Sequence, residues 1–432
     1  MARAKVRDEP VDVAWAEQVS SPGLAWLSRA MHEGATSASI VSMKRLVVCC
    51  DGTWNKPDSQ TVTNVEKIAR TVQSDPSATG GAYQLVYYVS GVGAGSYAVD
   101  KLLGGAFGFG LFHNVIACYR FLAQNYEPGD EIFIIGFSRG AYTARSVAGM
   151  VGRVGLLTKV SLVEERLPTA VHMYQRIDGP EGAFGASAEE FKHDHCHSAK
   201  VNFLGVFDTV GALGVPGLQA VPRFHDVQLS GQVLRARHAL AIDETRLKFA
   251  PTFWEAPEGD AGAPTEDPRV KQVWFEGAHS DVGGGYRDTG LSDTSLLWMA
   301  REAHDAGLVF DVPLLTHYVA SGSDPIRHNP LNWTYKVDNL FLGVKRKLSR
   351  KARDGAFHGG RRLITNERAL SLRVASSAVN HFMEGGYKPA NLTASADVTQ
   401  GFRDIIEPVT SLPERGVDLA VLGGPATPTW HS

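Results

Sequence analysis

Glu131-Ile132-Phe133-Ile134-Ile135-Gly136-Phe137-Ser138-Arg139-Gly140-Ala141-Tyr142-Thr143-Ala144-Arg145 decides the fold. Its first seven residues form a near-continuous apolar run, as expected of a strand buried on both faces of a parallel sheet. From Arg139 to Val151 the spacing changes to that of a helix. Ser138 stands at the junction, with Gly136 and Gly140 two residues to either side. A serine on so sharp a strand-to-helix turn takes a strained backbone, and small residues at those two positions let strand and helix approach closely. The pattern predicts a nucleophilic Ser138 hydroxyl above the carboxyl edge of a sheet. The Arg139 backbone N–H, at the helix N-terminus, would face a developing oxyanion. The plain alternative is a structural serine in a tight turn, and the strand before and helix after weigh against it.

Working outward, further apolar runs predict strands at Met43–Thr53, Gln84–Val89, Val201–Phe207 and Val270–Phe275. Helical spacing appears at about 111–126 (apolar at 112, 115, 116, 119 and 122), at 139–151 and at 292–306, with Ser292 a candidate N-cap. This alternation predicts an α/β-hydrolase-type fold, a mostly parallel sheet flanked by helices. Residues 1–42 lack a clear period and are expected to be an N-terminal extension, with Met43 opening the catalytic domain (43–310) and a candidate translation start. Residues 158–200 are polar and read as a loop-rich cap. Residues 311–432 lose the rhythm and read as a less regular C-terminal region packed on or appended to the domain.

A serine nucleophile needs a base, and the base an orienting acid, in the chain order Ser, Asp/Glu, His on this fold. Strand 201–207 ends at Asp208, and strand 270–275 leads into Glu276-Gly277-Ala278-His279-Ser280-Asp281-Val282-Gly283-Gly284-Gly285. Each lies at a strand end, so Ser138, Asp208 and His279 are the predicted triad. Asp281 and Asp243 are the competing acids. Asp281 would more naturally organise its own glycine-rich turn, while Asp243, in a helix-like segment, would pair with Arg246 or cap a turn. A second oxyanion donor is expected from Gly52 or Thr53, with Asp51 bracing that loop; an ordinary Asx-turn is the competing reading.

Four segments in this order, LVVCCDGTWN (46–55), GFSRGAYTAR (136–145), GVFDTVGALG (205–214) and WFEGAHSDVGGGY (274–286), resemble the uncharacterised α/β-hydrolase domain family that includes type VI secretion lipase effectors. GGAFGFGL (104–111) and HALAIDETR (238–246) are softer matches. The resemblance covers about 43–310. It implies a serine ester hydrolase with Ser138, Asp208 and His279 at the family's catalytic positions, and a phospholipid substrate.

Composition narrows the remaining classes. A net charge of −3 gives no global reason to expect nucleic-acid binding. Glu9, Asp12, Glu17 and Glu33 interrupt any signal-peptide core, and glycines, His113 and Asn114 break the greasiest stretch short of the ~18–20 apolar residues of a spanning helix. A cytoplasmic protein, open to export as an effector, is expected. Cys49 and Cys50 read as small buried hydrophobes. Cys49 also stands where a haloacid-dehalogenase-type Asp-x-Asp-Gly-Thr motif would need its nucleophilic Asp, which argues against that reading. His193-Asp194-His195-Cys196-His197 has a metal-like composition but reads as a solvated loop. The acyl-transfer chemistry calls for no metal or cofactor. The basic run 345–362 carries eight Lys or Arg against one Asp; it is either a solvated face or a peripheral contact with anionic phospholipid. The other class left open is a non-catalytic binding protein on an α/β-hydrolase scaffold. Sequence says nothing of the oligomeric state.

Overall fold

A computed structural model of the chain describes residues 43–52, 61–91, 104–175, 185–210, 229–256, 265–319, 326–330, 357–358, 361–362, 368–393, 406–409 and 422. The chain divides into two units, Met1–Ser42 and Met43–Ser432. The first lies outside the described residues, and everything below concerns the second.

Twelve strands are described: β1 (Lys44–Cys50), β2 (Tyr83–Val89), β3 (Glu131–Phe137), β4 (Leu156–Leu157), β5 (Cys196–His197), β6 (Phe203–Phe207), β7 (Ala236–Ala241), β8 (Val270–Phe275), β9 (Phe357–His358), β10 (Arg361–Arg362), β11 (Leu372–Ala375) and β12 (Ile406–Glu407). Eight of them form one sheet in the order β12-β11-β8-β7-β6-β3-β1-β2. Every neighbouring pair within it is parallel. This is the predicted α/β architecture, with β3, which leads into Ser138, third in from the β2 edge.

The apolar runs are continuous because alternate residues feed two cores. On one face Leu46, Val48, Ile132, Ile134, Leu204 and Val206 pack with Val115, Tyr119 and Leu122 of the helix Gly104–Asn125 and with the helix Arg139–Val154. On the other, Val47, Phe133, Ile135, Phe207 and Phe275 meet Val65 and Ile68 of the helix Asn64–Thr71 and Leu296 and Met299 of the helix Gly290–His304. Each such fully buried side chain contributes about 1.5–3 kcal/mol of transfer free energy. The last of these helices begins at Gly290, behind Thr289, a little before the Ser292 cap expected from sequence.

Three differences from the sequence reading stand out. HALAIDETR does not begin as a helix: Ala236–Ala241 is a fully buried sheet strand, whose Arg237 is paired with Glu302. The C-terminal region continues the sheet through β11 and β12. It also builds a third core, in which Val374, Ala378, Tyr387 and Leu392 close over Leu240 and Trp274. The described parts of 158–200 hold three helices, Lys159–Val163, Leu167–Gln175 and Gly185–His195, where loops were expected; the first is capped by Thr158 accepting from Ser161 N–H.

Gly140 fixes how close the helix after β3 comes to β1. A Cβ there would sit 2.2 Å from the Cys50 carbonyl oxygen and 2.4 Å from that of Asp51. Both contacts are backbone, so Gly140→Ala should cost about 1–3 kcal/mol or more by overpacking. Gly231→Ala, with nothing within 4 Å, should stay within about 0.5 kcal/mol of the parent. Thermal melts of the two variants side by side check this, and equal melting temperatures would show that the β1–helix contact yields.

Candidate active site

Ser138 adopts φ 59° and ψ −120°, a region that non-glycine residues rarely enter. Packing enforces it. A Cβ on Gly136 would lie 2.6 Å from the Gly140 carbonyl oxygen, so strand and helix are too close there for any side chain. The Ser138 N–H donates to the Phe207 carbonyl at 3.0 Å, which ties the turn to the end of β6. Arg139 is the first residue of the helix that follows, Arg139–Val154.

Asp208 follows β6 directly, with φ 38°, and its N–H donates to the Ala239 carbonyl of β7 at 2.7 Å. Its side chain is fully buried. His279 opens the short helix His279–Gly283 after β8, and the Asp281 carboxylate caps that helix by accepting from the Ala278 N–H at 2.9 Å. The turn folds back over β3 because Gly283 lies flat on Phe137, where a Cβ would be 2.0 Å from the ring. His279 is thereby brought between its two sequence-predicted companions. Its Nε2 is 2.8 Å from Ser138 Oγ and its Nδ1 is 2.5 Å from Asp208 Oδ2. The Phe137 and Phe249 rings flank the imidazole, with centroids 4.6 and 4.9 Å away.

Sequence reasoning missed Arg362. It is the last residue of the basic run, yet it is wholly buried, and Nη1 and Nη2 donate to Asp208 Oδ1 and Oδ2 at 2.5 and 2.9 Å. The expectation of a solvated or lipid-facing run is therefore corrected at this position. Phe357 and the Gly359-Gly360 pair, which interrupt the basic run, were the available signal. Residues 345–356 lie outside the described residues. Glu244 was missed as well. Its buried carboxylate accepts the His279 N–H at 3.3 Å and pairs with Arg246 at 2.7 Å.

These contacts set the charges. Burial alone would raise the Asp208 carboxyl, but the Arg362 guanidinium and the His279 N–H outweigh it and hold the carboxyl well below the usual range. Burial pushes the His279 imidazole below its ordinary value, and Asp208 only partly offsets this. The ring rests neutral near pH 7, as a general base must.

The other candidates fall elsewhere. Asp243 accepts from the Gly277 N–H and the Tyr387 hydroxyl, at 2.8 and 2.9 Å, and it is Glu244 rather than Asp243 that pairs with Arg246. Asp281, besides its cap, is 2.6 Å from His328 Nδ1. Asp51 braces its loop by accepting from Thr63 Oγ1 and the Tyr88 hydroxyl, at 2.8 and 2.6 Å. The Gly52 N–H, one of the two expected oxyanion donors, donates to Asp51 Oδ1 at 2.6 Å, and Thr53, the other, lies outside the described residues. The His193–His197 segment ends a helix and forms β5, with His193 paired to Asp194. Among the described residues no three His, Cys, Asp or Glu side chains are grouped to hold a metal, and no helix is long and apolar enough to cross a membrane.

The chain is similar to several known proteins. An uncharacterized protein of Saccharomyces cerevisiae, YEL023C, is 33% identical over 228 residues, which are 48% of this chain and 32% of the yeast protein. The chain thus spans about a third of that relative's length. Among solved structures, the Tle1 effector bound to the VgrG spike of the type 6 secretion system is 19% identical, with a TM-score of 0.34 over 57% of this chain and 52% of that one. An uncharacterized protein from Pseudomonas aeruginosa is 16% identical, with a TM-score of 0.39 over 88% and 65%. Neither likeness adds to what the sheet order shows. Residues 44–302, more than half of the sequence, match the family described as "T6SS, Phospholipase effector Tle1-like, catalytic domain", and the chain belongs to that family.

Proposed function

We propose that the chain is a serine ester hydrolase that cleaves phospholipid through an acyl-enzyme, with Ser138, His279 and Asp208 as its triad. The observation that carries this is the hydrogen-bonded line from Ser138 Oγ through the His279 ring to Asp208, at 2.8 and 2.5 Å. His279 Nε2 takes the Ser138 proton as Oγ adds to the ester carbonyl. The imidazolium that forms keeps its Nδ1–H on Asp208. The oxyanion is held by the Arg139 backbone N–H, with Thr53 the candidate for the second donor. His279 then protonates the leaving alcohol, and water releases the acyl group by the same route in reverse.

Phospholipid as substrate rests on family membership, and a peripheral contact rests on the cations of the run 345–362 other than the buried Arg362, each worth ~1 kcal/mol near an anionic surface. The domain scheme is proposed in the same sense: a catalytic domain starting at Met43, preceded by an extension, in a protein exported as an effector. The test is the purified chain assayed on short-chain esters, triglycerides and phospholipid vesicles with and without anionic lipid, read as free fatty acid released. The expected result is hydrolysis of phospholipid, faster on anionic vesicles. Activity should rise as His279 loses its proton, and burial lowers that pKa. The acid limb of kcat/KM should therefore have its midpoint below the ~6.5 of a free imidazole. Absence of hydrolysis on every ester would return the scaffold to the non-catalytic reading.

A further inference from the structure

Arg362 belongs to β10, beyond the family-matched span that ends at residue 302. We propose that Arg362 is a positioning residue for the triad: its guanidinium fork holds the Asp208 carboxylate against His279 Nδ1 and cancels its charge, so that the C-terminal region completes the site. This rests on the serine-hydrolase reading above.

The fork leaves the carboxylate little freedom. Oδ1 accepts from Arg362 Nη1 and from the Ala241 N–H at 3.0 Å, while Oδ2 accepts from Arg362 Nη2 and His279 Nδ1. Rotating the carboxylate to leave His279 would break both arms of a bidentate pair. The guanidinium is anchored in turn, because Nη1 donates to the Ala241 carbonyl at 2.9 Å and Nη2 to the Phe249 carbonyl. One cation thereby ties the ends of β6 and β7 to the segment whose Phe249 ring packs on the imidazole.

The other charged groups around the pair are held by partners of their own. Glu244 is taken by Arg246, Asp281 accepts from the Ala278 N–H and lies 2.6 Å from His328 Nδ1, and Asp243 accepts from the Gly277 N–H and the Tyr387 hydroxyl. Arg145 donates to the carbonyls of Thr252 and Phe253. His238, buried beside Asp208, accepts the Thr209 N–H on Nε2 and is held neutral, its pKa pushed down to about 3 first by burial and then by Arg145. With Asp208 and Arg362 also neutral as a pair, a proton added to His279 creates an unmatched buried cation. Without Arg362, the same proton would neutralise an unmatched buried anion. Removing the guanidinium must therefore raise the pH at which the Asp208–His279 pair takes up its proton, whichever of the two carries it. A merely structural Arg362, pinning β10 to the sheet, would lower stability and leave that pH alone.

The experiment uses the full chain and a soluble short-chain ester, with kcat/KM measured against pH and a thermal melt for each variant. Arg362→Gln should lose about tenfold or more in kcat with little change in KM, and its acid limb should move up by roughly one pH unit or more. Arg362→Lys keeps the charge and loses the fork. Its limb should stay within a few tenths of the parent while part of the lost kcat returns. An unmoved limb in Arg362→Gln, or a limb raised equally in Arg362→Lys, overturns the proposal. Should Arg362→Gln fail to fold, Arg362→Lys and the wild type still decide: a wild-type midpoint above about 7, or a shifted lysine variant, overturns it. A Ser138→Ala control separates the two claims. Fluorophosphonate labelling that survives in it defeats the hydrolase reading itself, whereas a silent control with an unmoved limb defeats only the role of Arg362.

Discussion

Ser138→Ala is expected to lower ester hydrolysis by ~10⁴–10⁶-fold and to abolish fluorophosphonate labelling, while the melting temperature hardly changes. The expectation follows from what the hydroxyl touches. Its Oγ lies 2.8 Å from His279 Nε2, and alanine loses that single hydrogen bond and almost no packing. Alanine at φ 59° is as strained as serine, so the turn keeps its conformation and its cost. Ser138→Gly should be equally inactive but more stable than Ser138→Ala, because glycine enters that region without a Cβ penalty. Two dead variants ordered in that way would tie the strain to the nucleophile's placement. Labelling that persisted in either would remove Ser138 from the chemistry.

The serine was legible because every local rule around it agrees. Apolar residues run unbroken to Phe137, glycines stand at 136 and 140, and helical spacing starts at once. Asp208 and His279 were legible for a related reason, since each follows a buried strand of a parallel sheet and such strands end at one edge. Ala236–Ala241 was not. HALAIDETR has a polar, helix-like look, and only the tertiary fold supplies partners for the polar residues of this strand: Glu302 of the helix Gly290–His304 for Arg237, and the Thr209 N–H and Gln272 for His238. β11 and β12 are too short for a period to show. Arg362 was hidden because its partner is Asp208, far away in sequence, and because a run of like charges is normally solvated.

Among the three acids that could orient His279, Asp208→Asn should cost roughly 10⁴ in kcat with little effect on substrate binding, since the amide no longer fixes the imidazole tautomer or stabilises the imidazolium. Asp243→Asn and Asp281→Asn should lose stability instead. The first weakens the hold on the Gly277 N–H and the Tyr387 hydroxyl, and the second weakens the cap on Ala278 and the pair with His328. Asp208→Asn carries a complication that the structure also resolves. It strands the buried Arg362 cation, and breaking a buried pair from one side typically costs about 3–5 kcal/mol. A loss of activity could then reflect unfolding, so the single variant must be read beside Asp208→Asn with Arg362→Gln. Removing both charges should recover much of the melting temperature, because neither is left unmatched, and recover none of the kcat. That outcome would assign Asp208 to the chemistry rather than to the fold. If instead Asp208→Asn keeps more than about a tenth of the parent kcat while Asp281→Asn loses nearly all of it, the acid that serves His279 is the one on its own turn.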